Sequence, residues 1–200
     1  MNGFKIFPLV SFLILIILIF GRVEILKRNG VKVSSGSGKQ NKTIVFLYPV
    51  FLLILLFWIL EIMKPAFQIN FSILPEKLTT PLFESVIMQI TGTILIGFAL
   101  VLLTLTLLHF KNSLRFGMEE TNQGELITTG IFTVSRNPFF LSLNLYFMGI
   151  AILLPSLFFI GFAILTLVSI HFFILKEEKF MQNVYGKEYL EYQRKVRRYF

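Results

Sequence analysis

Two short polar groups, Arg136-Asn137-Pro138 and Glu177-Glu178, flank the longest apolar stretch of the chain, Pro138 to Leu175. That stretch is too long for one membrane span, which takes about 20 residues, and Pro155 near its middle supplies a break. A helical hairpin turning at Leu154-Pro155-Ser156 would cross the membrane and return, bringing Arg136 beside the two carboxylates at one surface. In the first helix of the hairpin Asn137, Phe140, Leu141 and Asn144 share a face by their three-, four- and seven-residue spacing; in the second, His171, Leu175 and Glu178 do the same. Polar groups inside lipid are costly, so Asn144 and His171 are functional candidates. The chemistry on offer is the recognition of charge, a guanidinium fork on one side and carboxylates on the other. The same residues would also serve merely to mark where helices leave lipid, and His171 alone suits a hydrogen bond inside the bundle.

The elements that must hold these groups are hydrophobic helices. Of 200 residues 55% are hydrophobic and 15% charged, too few charges to cover a soluble globule. Apolar blocks run from about Phe4 to Phe20, Ile44 to Ile62 and Ser85 to Leu108, and the hairpin follows them, which predicts an all-α bundle of about five spans. The first block is read as a retained span, because Phe20-Gly21-Arg22-Val23 is a poor signal-peptide cleavage site. Gly92 and Gly97 in the third block would let a neighbouring helix approach, although ordinary packing explains them as well. His109 at its end reads as an interfacial residue.

Polar connections complete the layout. Residues 21–43 form a basic loop with a flexible Ser34-Ser35-Gly36-Ser37-Gly38 core; it is not a phosphate-binding loop, since Val33 stands where the first Gly is required and Gln40 follows Lys39. The loop containing Lys64 to Glu84 is charge-balanced, and the tail carries Lys187, Arg194, Lys195, Arg197 and Arg198. The positive-inside rule puts the first loop and the tail in the cytosol and the N-terminus outside, as an odd number of spans requires. Membrane topology and anionic headgroups account for the net charge of +8, so no nucleic-acid partner is expected. The absence of cysteine excludes a disulfide framework, a catalytic thiol and thiolate metal ligation, and two distant histidines make no metal site. The tail from Lys176, with Phe180, Val184, Tyr185, Tyr189, Tyr192, Val196 and Tyr199 among charges, suits an amphipathic helix interrupted at Gly186, either a headgroup anchor or a lid.

At these residues the chain resembles the isoprenylcysteine carboxyl methyltransferase and phospholipid methyltransferase superfamily of integral membrane enzymes. The family's Arg-His-Pro-x-Tyr-x-Gly, hairpin and Glu-Glu-x-x-Leu are matched in order by Arg136-Asn137-Pro138-Phe139-Phe140-Leu141-Ser142 and Glu177-Glu178-Lys179-Phe180-Met181. Ser113-Leu114-Arg115-Phe116-Gly117, Glu125 to Phe132 and Tyr185-Gly186-Lys187-Glu188-Tyr189-Leu190-Glu191-Tyr192 are similar to the family's flanking motifs. The resemblance extends over about Ser113 to Arg198.

It implies a single membrane domain, with residues 1–110 as the first three spans and 111–200 as the cofactor-binding core. It further implies S-adenosylmethionine as cofactor and a lipidic or amphiphilic acceptor arriving from the membrane lipids, with no metal and no obligatory protein partner. Arg136 and Glu178 are the catalytic positions it implies, and Arg136, Asn137, Pro138, Phe140, His171, Glu177 and Glu178 the cofactor contacts. Arg136 would meet the cofactor carboxylate, and Glu177 or Glu178 its ammonium or ribose hydroxyls. Asn137 replaces the family's His, Phe140 its Tyr and Ser142 its Gly, so Asn137 is expected to bind and not to titrate. Two other readings stand beside this one: an NADPH-dependent membrane reductase of the sterol reductase type, and a non-catalytic lipid-binding protein.

Overall fold

The computed structural model describes residues 3–30, 42–110 and 126–200. The Ser34 to Gly38 segment, the Ser113 to Gly117 motif and Glu125 lie outside the described residues. The elements are α1 (Gly3–Arg28), α2 (Lys42–Phe67), the short α3 (Glu76–Thr79), α4 (Val86–His109), a 3-10 turn (Gly130–Thr133), α5 (Pro138–Leu153), α6 (Leu157–Tyr185) and α7 (Lys187–Lys195). Four of these, α1, α2 from Pro49, α4 and α6, are long and apolar enough to cross a membrane, and α5 is a shorter apolar helix. The fold is a polytopic all-α bundle, with the expected hairpin formed by α5 and α6.

Helix lengths depart from the apolar blocks. α1 runs on through Arg22, Glu24 and Lys27 to Arg28, so the first part of the predicted 21–43 loop is helical. Hydropathy marks where lipid ends, whereas a helix continues as long as its backbone hydrogen bonds do. α5 has 16 residues, about 24 Å, because Pro138 opens it and the Pro155 turn closes it. α6 has 29 residues, about 44 Å, and carries Glu177 and Glu178 within one continuous helix. Gly186, at φ +53°, ends α6 as expected and allows α7 to start in a new direction.

Two contacts fix α5 in the bundle. Gly92 of α4 and Gly149 of α5 meet backbone to backbone: a Cβ built on Gly92 would stand 2.7 Å from the Leu153 nitrogen and 2.8 Å from the Gly149 oxygen. Gly97 faces open space. The two glycines are five positions apart on one helix, which separates their directions by about 140°, so both cannot face the same neighbour. The second contact is Trp58 of α2, 1% exposed, whose ring meets Phe12 of α1 at 5.1 Å, Phe147 of α5 at 5.5 Å and Phe162 of α6 at 5.5 Å. Outside this core, residues such as Ile17, Ile87, Ile94 and Phe172 are exposed in line with lipid as the solvent.

α4 and α5 run antiparallel, since Gly92 near the start of α4 meets Leu153 at the end of α5, and α6 returns from that end through the Pro155 turn. The 68–85 connection touches the hairpin turn, where the Leu82 amide donates to the Pro155 carbonyl at 2.8 Å. Lys64, paired with Glu61 at 2.6 Å and donating to Ser72 at 2.7 Å, braces the same end of the bundle. At the opposite end His109 finishes α4 against Gly130, whose φ of +64° and close approach to the imidazole leave no room for a side chain. A small second core forms there, where Phe132, Tyr189 and Tyr192 are buried together with Phe110 and Met181 packed around them.

Candidate functional site

The site lies at that second end, where α5 begins and α6 leaves the apolar layer. Glu178, 4% exposed, is its hub. Its Oε1 accepts from Arg136 Nη2 at 2.9 Å and Nε at 3.3 Å and from Asn137 Nδ2 at 3.3 Å. Arg198 clasps the other edge, Nη2 to Oε2 at 2.8 Å and Nε to both oxygens at 3.2 Å. One buried carboxylate therefore holds two guanidiniums and an amide, a charge-assisted arrangement that compensates its desolvation. The hydrogen bonds to Glu178 lift the Arg198 guanidinium further above its ordinary value.

The chain's last residues complete the enclosure. Arg136 Nη1 donates to the carbonyls of Gln193 at 3.0 Å and Val196 at 2.8 Å, and the Arg136 amide donates to the Arg197 carbonyl at 3.0 Å. The Arg198 carbonyl accepts from Ser135 Oγ at 3.1 Å and Asn137 Nδ2 at 3.4 Å. Residues 196–199 thus form a strap across the start of α5. Beyond it the Tyr199 hydroxyl meets His171 Nδ1 at 2.9 Å. α7 is pressed onto the protein by its aromatic face: Tyr192 donates to the Phe132 carbonyl at 2.7 Å, and burial pushes the Tyr189 and Tyr192 phenols well above their ordinary values. Of the two readings of the tail, headgroup anchor or lid, the burial of Tyr189 and Tyr192 against Phe132 fits a helix laid over the protein at this point.

The residues expected from sequence fall into groups. Arg136, Asn137 and Glu178 are in direct contact, across the hairpin as its return requires. Pro138 is buried at the first turn of α5, and Phe140 packs on Phe173 of α6 with ring centroids 5.3 Å apart. His171 touches the strap and not the Glu178 hub. Glu177, one position from Glu178, makes no hydrogen bond or ion pair among the described residues. Asn144 is 5% exposed and its Oδ1 has no partner among the described residues, so an unused acceptor stands on the α5 face that carries Asn137. Ser135 was not anticipated, and Arg198 and Tyr199 were expected only as members of the basic, aromatic tail and not as site residues; nothing in the tail's spacing announces a non-helical return onto α5.

No curated protein matches the chain. The sequence profile of the phospholipid methyltransferase family matches residues 87–188, from the first turn of α4 through Arg136 and Glu178 to the start of α7. Over half of the chain lies in that match, and four helices are fit to cross a bilayer. This chain belongs to the phospholipid methyltransferase family and is an integral membrane methyltransferase.

Proposed function

We propose that the protein transfers a methyl group from S-adenosylmethionine to a lipidic acceptor at the membrane face where α5 begins, and that this face is cytosolic. The observation that carries the reading is the Glu178 hub, which closes a polar, two-arginine enclosure at the mouth of an apolar bundle. The donor groups fit an amino-acid-bearing cofactor: Arg198 uses Nε and Nη2 on Glu178 and leaves Nη1 without a partner among the described residues, Glu177 makes no ion pair among them, and the buried Asn144 Oδ1 is an acceptor with no partner there. When bound, the cofactor supplies an electrophilic methyl on a sulfonium, which an acceptor nucleophile takes up by in-line displacement.

The chain's own contribution is alignment and dryness. Every nitrogen of Arg136 is engaged, so Arg136 and Glu178 hold the strap, Asn137 and the two helices in register. Glu177 is the carboxylate that meets the cofactor ammonium or ribose. Phe140 and Pro138 form an apolar wall, and His171 with Tyr199 closes the far side. Water is excluded by α7 and the strap above and by lipid below. An amphiphilic acceptor reaches such a site from the bilayer without leaving it, and the isoprenylcysteine-type carboxylate and the amine of a phospholipid are both compatible. The basic tail supports the cytosolic assignment.

Detergent-purified protein incubated with methyl-labelled S-adenosylmethionine and a total lipid extract is expected to yield a labelled lipid detectable by mass spectrometry. Calorimetry on the same preparation is expected to detect the methyl donor and not NADPH. A preparation that leaves the lipids unlabelled and binds NADPH instead contradicts the proposal and favours the reductase reading.

A further inference from the structure

The two arginines on Glu178 are not equivalent. Arg136 is 10% exposed at its side chain and uses Nε and Nη2 on the carboxylate and Nη1 on two carbonyls. Arg198 is 32% exposed, uses Nε and Nη2 only, and turns Nη1 to no partner among the described residues. Its backbone is nevertheless fixed, since its carbonyl is held by Ser135 and Asn137. Two guanidiniums face one carboxylate and Glu177 makes no ion pair with either among the described residues, so the outer edge of Arg198 is not taken up by a protein carboxylate there. A planar guanidinium with a pinned base, a partner for one edge and an open second edge is preorganised for a forked contact with an oxyanion.

We infer that Arg198, carried on the C-terminal strap, is the ligand-anion receptor of this enzyme, and that Arg136 is the positioning residue that holds the strap in place. The oxyanion is the carboxylate of the methyl donor or the phosphate of a lipid headgroup, which present the same chemistry to Nη1. The donor half of this inference rests on the function proposed above, and the lipid half does not. It reassigns the role that motif resemblance gives to Arg136, and it makes the strap part of the binding site.

The test is calorimetry on the full chain in detergent, comparing the wild type with Arg198→Ala. One pair of probes is S-adenosylhomocysteine and its decarboxylated counterpart; the other is short-chain phosphatidate and the matching diacylglycerol. Arg198→Ala is expected to weaken one of the two oxyanion-bearing probes by about 10-fold or more, in line with loss of a charge-assisted fork, and not to weaken the counterpart that lacks the oxyanion. The probe that responds identifies the source of the oxyanion. Arg198→Lys keeps Glu178 neutralised but lacks the fork, and supplies the same comparison should the alanine variant not fold. The inference is overturned if the variants bind both oxyanion-bearing probes as the wild type does, or lose each such probe and its counterpart by equal factors. A wild type that ignores S-adenosylhomocysteine altogether speaks against the proposed methyl donor, and the phosphatidate pair then decides the role of Arg198 alone.

Discussion

Glu178→Ala is expected to lower stability by about 3–5 kcal/mol and to weaken methyl-donor binding by at least about 100-fold, the cost of leaving a buried guanidinium unpaired. Arg136 is the residue left exposed to that cost, because it is 10% exposed and cannot turn to water, while Arg198 at 32% can. The loss spreads beyond one ion pair. Asn137 loses its contact with α6, the strap loses the side-chain clasp of Arg198, and the α5 and α6 ends lose their only salt link among the described residues. Glu178→Gln keeps an acceptor of the same shape without the charge and is expected to fall between the wild type and the alanine variant. Thermal denaturation followed by size exclusion in detergent measures the first quantity and calorimetry the second; unchanged values for both variants would mean that the hub is ornamental.

The second large effect lies deep in the bundle. Gly92→Ala places a Cβ within 3 Å of backbone atoms of Leu153 and Gly149, which cannot move aside as a flexible side chain would, so α4 and α5 have to separate. Overpacking of this kind costs about 1–3 kcal/mol, and the rigid neighbours put Gly92 at the upper end. Gly149→Ala meets the side chain and amide of Ile96 and is expected to behave similarly. Gly97→Ala is the contrast: no atom lies within 4 Å, and replacing a mid-helix glycine is expected to leave stability unchanged or to raise it by up to about 1 kcal/mol. Emission from the single tryptophan reports the displacement, because Trp58 packs on Phe147 of α5. Since α5 also carries Asn137 into the site, the Gly92 variant is expected to lose donor affinity as well as stability, whereas Gly97→Ala should keep both.

These two effects show what the residues disclosed and what they withheld. The hairpin was legible because a span takes about 20 residues, so an apolar stretch of about twice that length with Pro155 inside it folds back on itself. Its return forces Arg136 toward Glu178, and the 2.9 Å contact follows from that topology. The break at Gly186 was legible because glycine tolerates the positive φ found there. By contrast, the choice of Gly92 over Gly97 as the contact point depends on which face of α4 meets α5, and Gly149, its partner, carries no mark of its own in a sequence rich in small residues. The strap was hidden for a related reason. Arg197 and Arg198 look like the basic end of a cytosolic tail, and a non-helical return has no periodicity to betray it; only the geometry separates Arg198, with one edge open, from Arg136, fully engaged. The family match begins in α4, the helix that packs most extensively on α5, so α4 and the hairpin are matched together.

The return of the chain to one membrane face is the claim on which the site depends, and the absence of cysteine makes it directly measurable. Single cysteines at Val134, Arg194 and Lys77, treated in sealed vesicles with a membrane-impermeant maleimide, report the side on which each position lies. The account predicts that Val134→Cys and Arg194→Cys react from the same side and Lys77→Cys from the opposite one. Labelling of positions 134 and 194 from opposite sides would separate Arg136 from the tail and leave no common site for a methyl donor.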